Sequence, residues 1–258
     1  MNQDCPFVSV VMPAYNASKY IGQAIESVLN QTYVNFELIV IDDCSTDNTY
    51  DIIKKYSETD SRIKVVKNKI NSGVTFTRNF GVSLAKYDWI AFLDSDDIWV
   101  KDKLEKQIKL AQKIPEASLI FTGTSFINSE GKFYSYILKV PDKITYKELL
   151  KQNVISCSSV LVRKKCIENI KIPGGDIHED FVAWLTILKN EKYAYGINEP
   201  LLIYRLSSNS KSSNKLKAIK MNYRVYKAVG LNVLECNYYS LFYILKNTLK
   251  YLRIYIQS

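Results

Sequence analysis

The stretch Trp89-Ile90-Ala91-Phe92-Leu93-Asp94-Ser95-Asp96-Asp97 constrains this chain more than any other. Its apolar half, Trp89 to Leu93, has the length and composition of a fully buried strand. It runs directly into three carboxylates within four residues. A strand that ends this way delivers charge to the carboxyl edge of a sheet, where ligands bind in open α/β folds. Carboxylates this close repel and raise one another's pKa. A divalent cation removes that cost. Hard oxygen ligands suit Mg2+ or Mn2+, and Mg2+ typically uses one or two carboxylates plus substrate phosphates. The competing reading is a solvated acidic turn that caps the next helix, since structural charge clusters are common.

The segments before this stretch alternate in type. Phe7–Met12, between Pro6 and Pro13, reads as a first buried strand, with Pro13-Ala14-Tyr15-Asn16 as the loop at its end. Ser18 is a plausible N-cap for a helix that runs to about Gln31. Phe36–Ile41 is a second apolar strand and ends at Asp42-Asp43. A run of capping residues, Ser45 to Thr49, then opens a helix over Thr49–Tyr56. Ile63–Val66 is a short strand, Asn71-Ser72-Gly73 a turn, and Val74 to about Ala85 a helix. A further amphipathic helix is expected near Lys103–Lys113. Strand and helix alternating with short links predict an α/β fold, a mostly parallel, doubly wound sheet.

Beyond Pro115 the pattern loosens. Leu119–Phe121 and Phe126-Ile127 read as strands flanking a turn, with a hairpin at Ser129–Lys132. Thr145 and Glu148 have capping-box spacing for a short helix to Gln152. Ser158–Val162 reads as a strand, Lys171–Asp176 as a loop, Phe181–Asn190 as a helix and Pro200–Tyr204 as a last strand. Arg205–Asn214 reads as a Ser-rich linker, and Leu216–Gly230 and Tyr238–Ile256 as two basic, aromatic helices.

Charge is uneven along the chain. From Arg205 on, ten basic residues stand against one acid, Glu235; this excess equals the net charge of +9, and residues 1–204 hold 25 of each sign. Five cysteines without CxxC spacing suggest neither a disulfide framework nor a zinc site, and a reducing, cytoplasmic setting fits. No secretory signal and no transmembrane helix are expected.

Five segments together resemble the signature set of family 2 inverting glycosyltransferases of the GT-A fold. They are Val8–Asn16, Asp42–Asp47, Ser72-Gly73 with Arg78-Asn79-Phe80-Gly81, Leu93–Asp97, and Glu179-Asp180 with Trp184. They cover about residues 6–205 in the family's order. The resemblance implies a nucleotide-sugar donor, usually a UDP-sugar, and a divalent cation, Mn2+ or Mg2+. Pro13 and Tyr15 would sit against the nucleobase, with Asn16 beside them. Asp43 would accept a hydrogen bond from the base, and Arg78 would hold base or phosphate. Asp94 and Ser95 would approach the ribose or sugar. Asp96, with Asp94, would ligate the metal. Asp180 would be the general base, with Glu179 and Trp184 on the acceptor side. Each residue has a plainer rival role: Tyr15 as a core tyrosine, Asp43 as a cap for the next helix, Arg78 as a surface residue, and Glu179 and Asp180 as acids favoured in a first helical turn. One departure stands out. Many relatives carry a histidine shortly after a Tyr-Arg pair like Tyr204-Arg205, and this chain has Leu206-Ser207-Ser208 there. Arg205 and the serines would then grip the diphosphate, or the metal would have fewer protein ligands.

The expectation is therefore a GT-A catalytic domain over residues 1–205, with a nucleotide-sugar half to about 115 and an acceptor half to 205, followed by a helical tail over 206–258. The enzyme would transfer a hexose or N-acetylhexosamine to a glycan or lipid-linked acceptor, at the inner face of a membrane. The alternatives are a non-catalytic sugar-nucleotide or glycan-binding subunit and a sugar nucleotidyltransferase. The latter usually carries a Gly-rich basic loop where this chain has Pro13–Asn16. The tail suits peripheral membrane contact over 216–258, packing on the domain, or a homodimer contact. No nucleic-acid recognition motif accompanies it, so nucleic acid is not expected as a partner.

Overall fold

A computed structural model describes residues 5–170, 177–206 and 215–256; the side chains of residues 215, 216, 247 and 249–256 lie outside the description. The first half holds β1 (Val8–Ala14), α1 (Ile21–Leu29), β2 (Phe36–Asp42), α2 (Thr49–Thr59), β3 (Ile63–Lys67), α3 (Val74–Leu84), β4 (Trp89–Phe92), β5 (Ile98–Trp99) and α4 (Lys103–Lys113). The second holds β6 (Leu119–Ile127), β7 (Phe133–Leu138), β8 (Lys143–Ile144), α5 (Tyr146–Lys151), a 3-10 turn (Cys157–Ser159), β9 (Leu161–Arg163), α6 (Lys164–Ile167), α7 (Glu179–Asn190) and β10 (Ala194–Arg205). α8 (Lys215–Ala228) and α9 (Val233–Ile256) complete the chain.

The mixed sheet runs β3-β2-β1-β4-β9-β6-β10-β5. Its first four strands are parallel. β9 is antiparallel to both β4 and β6, and β10 returns parallel to β6. The expected doubly wound α/β half is therefore present. β1, β2 and β4 are buried at every position because helices cover both faces. Each fully buried Val, Ile or Leu there contributes about 1.5–3 kcal/mol.

Pro13 lies inside β1 rather than beyond it. Val11 O accepts from Leu93 N on the β4 side, and Pro13, two residues on, faces the same way past the last β1–β4 pair, so its missing N–H costs no ladder bond.

Other boundaries moved for identifiable reasons. α1 starts at Ile21 after Tyr20, and Ser18 is no cap: its backbone N–H is held by Asp47. Leu119–Ile127 is one nine-residue strand with every residue buried, so its Thr122-Gly123-Thr124 centre is core and not a turn. The exposed alternation of β7 and the two-residue β5 were not anticipated. Cys157–Ser159 is a 3-10 turn, and the strand begins only at Leu161. The capping box at Thr145 and Glu148 forms as expected. The Lys171–Asp176 loop and nearly all of the Ser-rich linker fall outside the described residues.

α8 and the start of α9 pack on the domain. Val225, Tyr226, Val229 and Cys236 share a core with α5 and α7, and the Tyr226 hydroxyl donates to Leu150 O at 2.8 Å.

Candidate active site

The strand ends β1 and β2 and the loop after β4 open onto a cleft of about 830 Å³. Pro13, Tyr15, Asn16, Asp43, Arg78, Asp94, Ser95, Asp96 and Glu179 all line it. Nine of the twelve expected site residues thus converge from five separate segments. Asp180, Trp184 and Arg205 do not line it.

The nucleobase side is built by cross-linked loops. Tyr15 presents a ring that is 47% exposed. Asn16, in the left-handed region at φ 47°, accepts from Thr46 N at 2.9 Å and donates its own N–H to Ser45 Oγ at 3.0 Å. Asp43 does not cap α2. Its Oδ1 accepts from Asn68 Nδ2 at 2.7 Å and Ser72 N at 2.9 Å, and its Oδ2 from Gly73 N at 2.8 Å. Gly73 has φ 83°, which only glycine adopts freely, and this turn starts α3. One turn beyond Arg78, a Cβ on Gly81 would lie 2.4 Å from Val11 Cγ1. Glycine there lets α3 sit close on the sheet, and so fixes where Arg78 projects.

Arg78 joins two carboxylate groups. Its Nη2 is 2.5 Å from Asp94 Oδ1 and its Nη1 is 3.3 Å from Glu179 Oε1. Asp96 has no such partner among the described residues. Burial first, then the charge of Asp94, push its carboxyl up to about 6.

The donor set fits a hard divalent ion. Asp96 is a cleft carboxylate whose charge is costly without a cation, with Asp94 beside it. Among the described residues no three metal-binding side chains cluster, so the ion would need oxygens from the substrate.

Behind the cleft, Asp97 organises the acidic loop. It is 1% exposed. The Ser158 hydroxyl donates to Asp97 Oδ2 at 2.6 Å and accepts from Asp94 N at 3.0 Å, while Arg205 N donates to Asp97 Oδ1 at 3.0 Å. Burial, then the Asp96 and Asp94 charges, push the Asp97 carboxyl well above the usual range, against these two donors.

Arg205 corrects an expectation. Its guanidinium donates to Asp96 O at 2.9 Å, to Asn128 O and to Gln23 Oε1, and it lies over the Tyr20 ring. Its buried head therefore braces the loop from behind and does not face the cleft. Ser158 was missed because nothing in the run Ser156-Cys157-Ser158-Ser159 marks one hydroxyl as special. Tyr20, Asn128, Ser129 and Tyr134 also line the cleft and were not anticipated.

Asp180 and Trp184 line a second, smaller space of about 20 Å³, walled also by Asn79, Phe92 and Cys157 and shared with Arg78 and Glu179. The two residues stand one turn apart on α7, which places them on one face. Burial, then the charge of Glu179, push the Asp180 carboxyl up, while the charges of His178 and Arg78 and the backbone N–H of Phe181 oppose the rise.

A parallel α/β half with a carboxylate-lined cleft at its strand ends, continued by a mixed sheet and a second carboxylate pair, defines a GT-A type sugar-transfer fold. The family model for glycosyl transferase family 2 matches residues 9–170, and the chain belongs to that family: it is a glycosyltransferase. TuaG of Bacillus subtilis (strain 168), named for teichuronic acid biosynthesis, is 41% identical over 224 residues, 87% of this chain and 88% of its own. WfgD of Escherichia coli, a UDP-Glc:alpha-D-GlcNAc-diphosphoundecaprenol beta-1,3-glucosyltransferase, is 41% identical over 243 residues, 92% of each chain. Among solved structures, S. aureus TarS in complex with UDP-GlcNAc superposes with a TM-score of 0.72 at 21% identity, over 91% of this chain and 70% of its own. The mannosyltransferase PcManGT of Pyrobaculum calidifontis, in complex with GDP-Man and Mn2+, gives 0.71 at 17% identity, over 93% and 69%. These last two share the fold.

Proposed function

We propose that this glycosyltransferase moves a hexose or N-acetylhexosamine from a UDP-sugar to a hydroxyl of a lipid-linked glycan, with inversion at the anomeric carbon, at the cytoplasmic face of the membrane. Residues 1–205 form the catalytic domain and 206–258 a basic cover. The observation that carries this reading is the meeting of Tyr15, Asp43, Arg78, Asp94, Asp96 and Glu179 in one cleft, with Asp180 in the small space that adjoins it at Arg78 and Glu179. The donor and acceptor classes follow WfgD, which matches nearly the whole chain.

The open ring of Tyr15 offers a stacking face for the base, worth about 1–3 kcal/mol. Asp43, already locked by three N–H groups, offers the base edge its remaining lone pair. Asp96, with Asp94, would hold Mn2+ or Mg2+, which supplies positive charge to the leaving diphosphate when bound. Arg78 adds a fixed positive charge at the same end of the cleft. The acceptor oxygen forms its bond to the anomeric carbon as the bond to the diphosphate oxygen breaks, and Asp180 takes the hydroxyl proton. Burial raises the basicity of Asp180, which favours that transfer. One displacement with one base inverts the centre.

Calorimetric titration of UDP tests the donor site, with Mn2+ and again with EDTA, beside GDP and TDP. Micromolar affinity that needs both uracil and metal is the expected result. Preference for GDP, or no binding with metal present, overturns it.

A further inference from the structure

The proposed acceptor is held in a bilayer, and the following inference rests on that reading. Eight of the thirteen large apolar residues exposed among the described ones fall on two elements, α9 and β7. On α9, Cys236 is buried and Tyr239 packs against Tyr226, which fixes the inner face of the helix. The outer face carries Leu234, Tyr238, Leu241 and Leu245, exposed by 80%, 52%, 57% and 55%. Their spacing of four, three and four residues keeps them on one stripe. β7 runs beside α9. Its outward residues Phe133 and Ile137 are 60% and 43% exposed, while Tyr134 between them lines the cleft. The apolar surface therefore borders the place where an acceptor enters.

Charge identifies the occupant. The tail holds the chain's whole positive excess. Lys246 is exposed next to the stripe, and α8, packed against α9, exposes Lys220 and Lys227. A second copy of this chain would bring basic tail against basic tail. An anionic bilayer accepts both the leucines and the cations, each lysine or arginine near its surface adding to the attraction. We propose that the outer face of α9, with Phe133 and Ile137 of β7, docks on an anionic lipid surface and holds the cleft mouth against it.

Flotation with phosphatidylglycerol–phosphatidylcholine vesicles, beside pure phosphatidylcholine, tests this on the full chain and on a Leu241→Glu/Leu245→Glu variant. Wild type is expected to float with the anionic vesicles only, less so at high salt. The variant is expected to lose at least about tenfold in partitioning, since each buried leucine is worth that much. Circular dichroism, UDP affinity and transfer to a water-soluble acceptor analogue should stay at wild-type levels. Equal flotation of both proteins overturns the docking face, as does a wild type that ignores anionic vesicles. A wild-type dimer in sedimentation velocity that the variant breaks also overturns it, by making a second copy the occupant. Failure of UDP binding in both proteins, with flotation intact, strikes the donor reading and leaves the surface standing.

Discussion

The cleft and the chamber meet at Arg78 and Glu179, yet they differ in size and lining. The cleft is about 830 Å³ and lined by strand-end loops; the chamber is about 20 Å³ and walled by Phe92, Cys157 and Trp184. Each holds a carboxylate with a raised pKa, and burial is the leading cause in both. The remedies differ. Asp96 faces a volume large enough for a cation and a diphosphate. Asp180 faces a narrow space with apolar walls, the charges of His178 and Arg78 tempering its rise. A carboxylate made uncomfortable beside room for an ion suits metal binding, and one made uncomfortable among apolar walls suits proton acceptance.

Asp96→Asn tests the cleft side of this contrast. Removing the charge that receives the cation should lower kcat/KM by about 10²–10³-fold, the scale of losing one preorganised electrostatic group. UDP binding should also lose its sensitivity to EDTA. If titration shows that sensitivity retained, the metal belongs elsewhere and the role given to the cleft fails.

The next contrast lies within α7. Asp180→Asn should lower kcat by about 10²–10⁴-fold with UDP affinity intact. Glu179→Gln, which removes the partner of Arg78, should act more on KM. The base must be deprotonated, so kcat falls as pH drops through its pKa. Burial, then Glu179, raises that pKa, so the acid limb lies above that of an ordinary aspartate. Glu179→Gln removes one raising charge and should move the limb to lower pH. A larger kcat loss in Glu179→Gln than in Asp180→Asn would reverse the assignment, making the cleft-facing carboxylate the base.

Most of the cleft was legible in the sequence because its residues sit at strand ends, where local pattern and chemistry coincide. FELIVI ending at Asp42-Asp43 and WIAFL ending at Asp94 are both short apolar runs cut off by acid. The chamber was not legible. Trp184 was singled out beside Glu179-Asp180, but the walls also need Phe92 and Cys157 from segments far apart in sequence, and nothing local distinguishes those two from ordinary core. Arg205 was misread for a related reason. An arginine beside an acidic loop looks the same in sequence whether it faces ligand or braces the loop, and only its hydrogen bonds to Asp96 O, Asn128 O and Gln23 decide. β6 was split in two because Thr122-Gly123-Thr124 resembles a turn, although packing against β10 buries it.

Ser158 ties the two spaces together, since its turn walls the chamber while its hydroxyl holds Asp97 and the Asp94 amide. Ser158→Ala should weaken Mn2+ activation about 10–100-fold, the usual effect of losing support behind a metal ligand. Activity at saturating Mn2+ should stay near wild type. A fall in kcat with unchanged metal dependence would mean that the turn serves the chamber more than the cleft.

Lys103 supplies the smallest and cleanest test of the idea that burial is tolerated only with a remedy. It is fully buried behind the same turn, its Nζ 2.8 Å from Gln107 Oε1 and 4.0 Å from the centre of the Trp99 ring, with no carboxylate in ion-pair range among the described residues. Burial holds its pKa well below the ordinary lysine value. Between the lowered folded pKa and the unfolded one the unfolded chain binds a proton that the folded chain does not, so this group's contribution to stability rises as pH climbs through that window toward the unfolded pKa of about 10.4. Lys103→Met removes that term and leaves Gln107 Oε1 without its donor, at about 1–3 kcal/mol. The stability of wild type relative to the variant should therefore increase with pH, by at most about 1.4 kcal/mol per unit. Denaturation midpoints from pH near neutrality to mildly alkaline conditions measure it. A difference that stays flat would mean the lysine is charged when folded, with the Trp99 face and Gln107 doing for a cation what Arg78 does for Asp180.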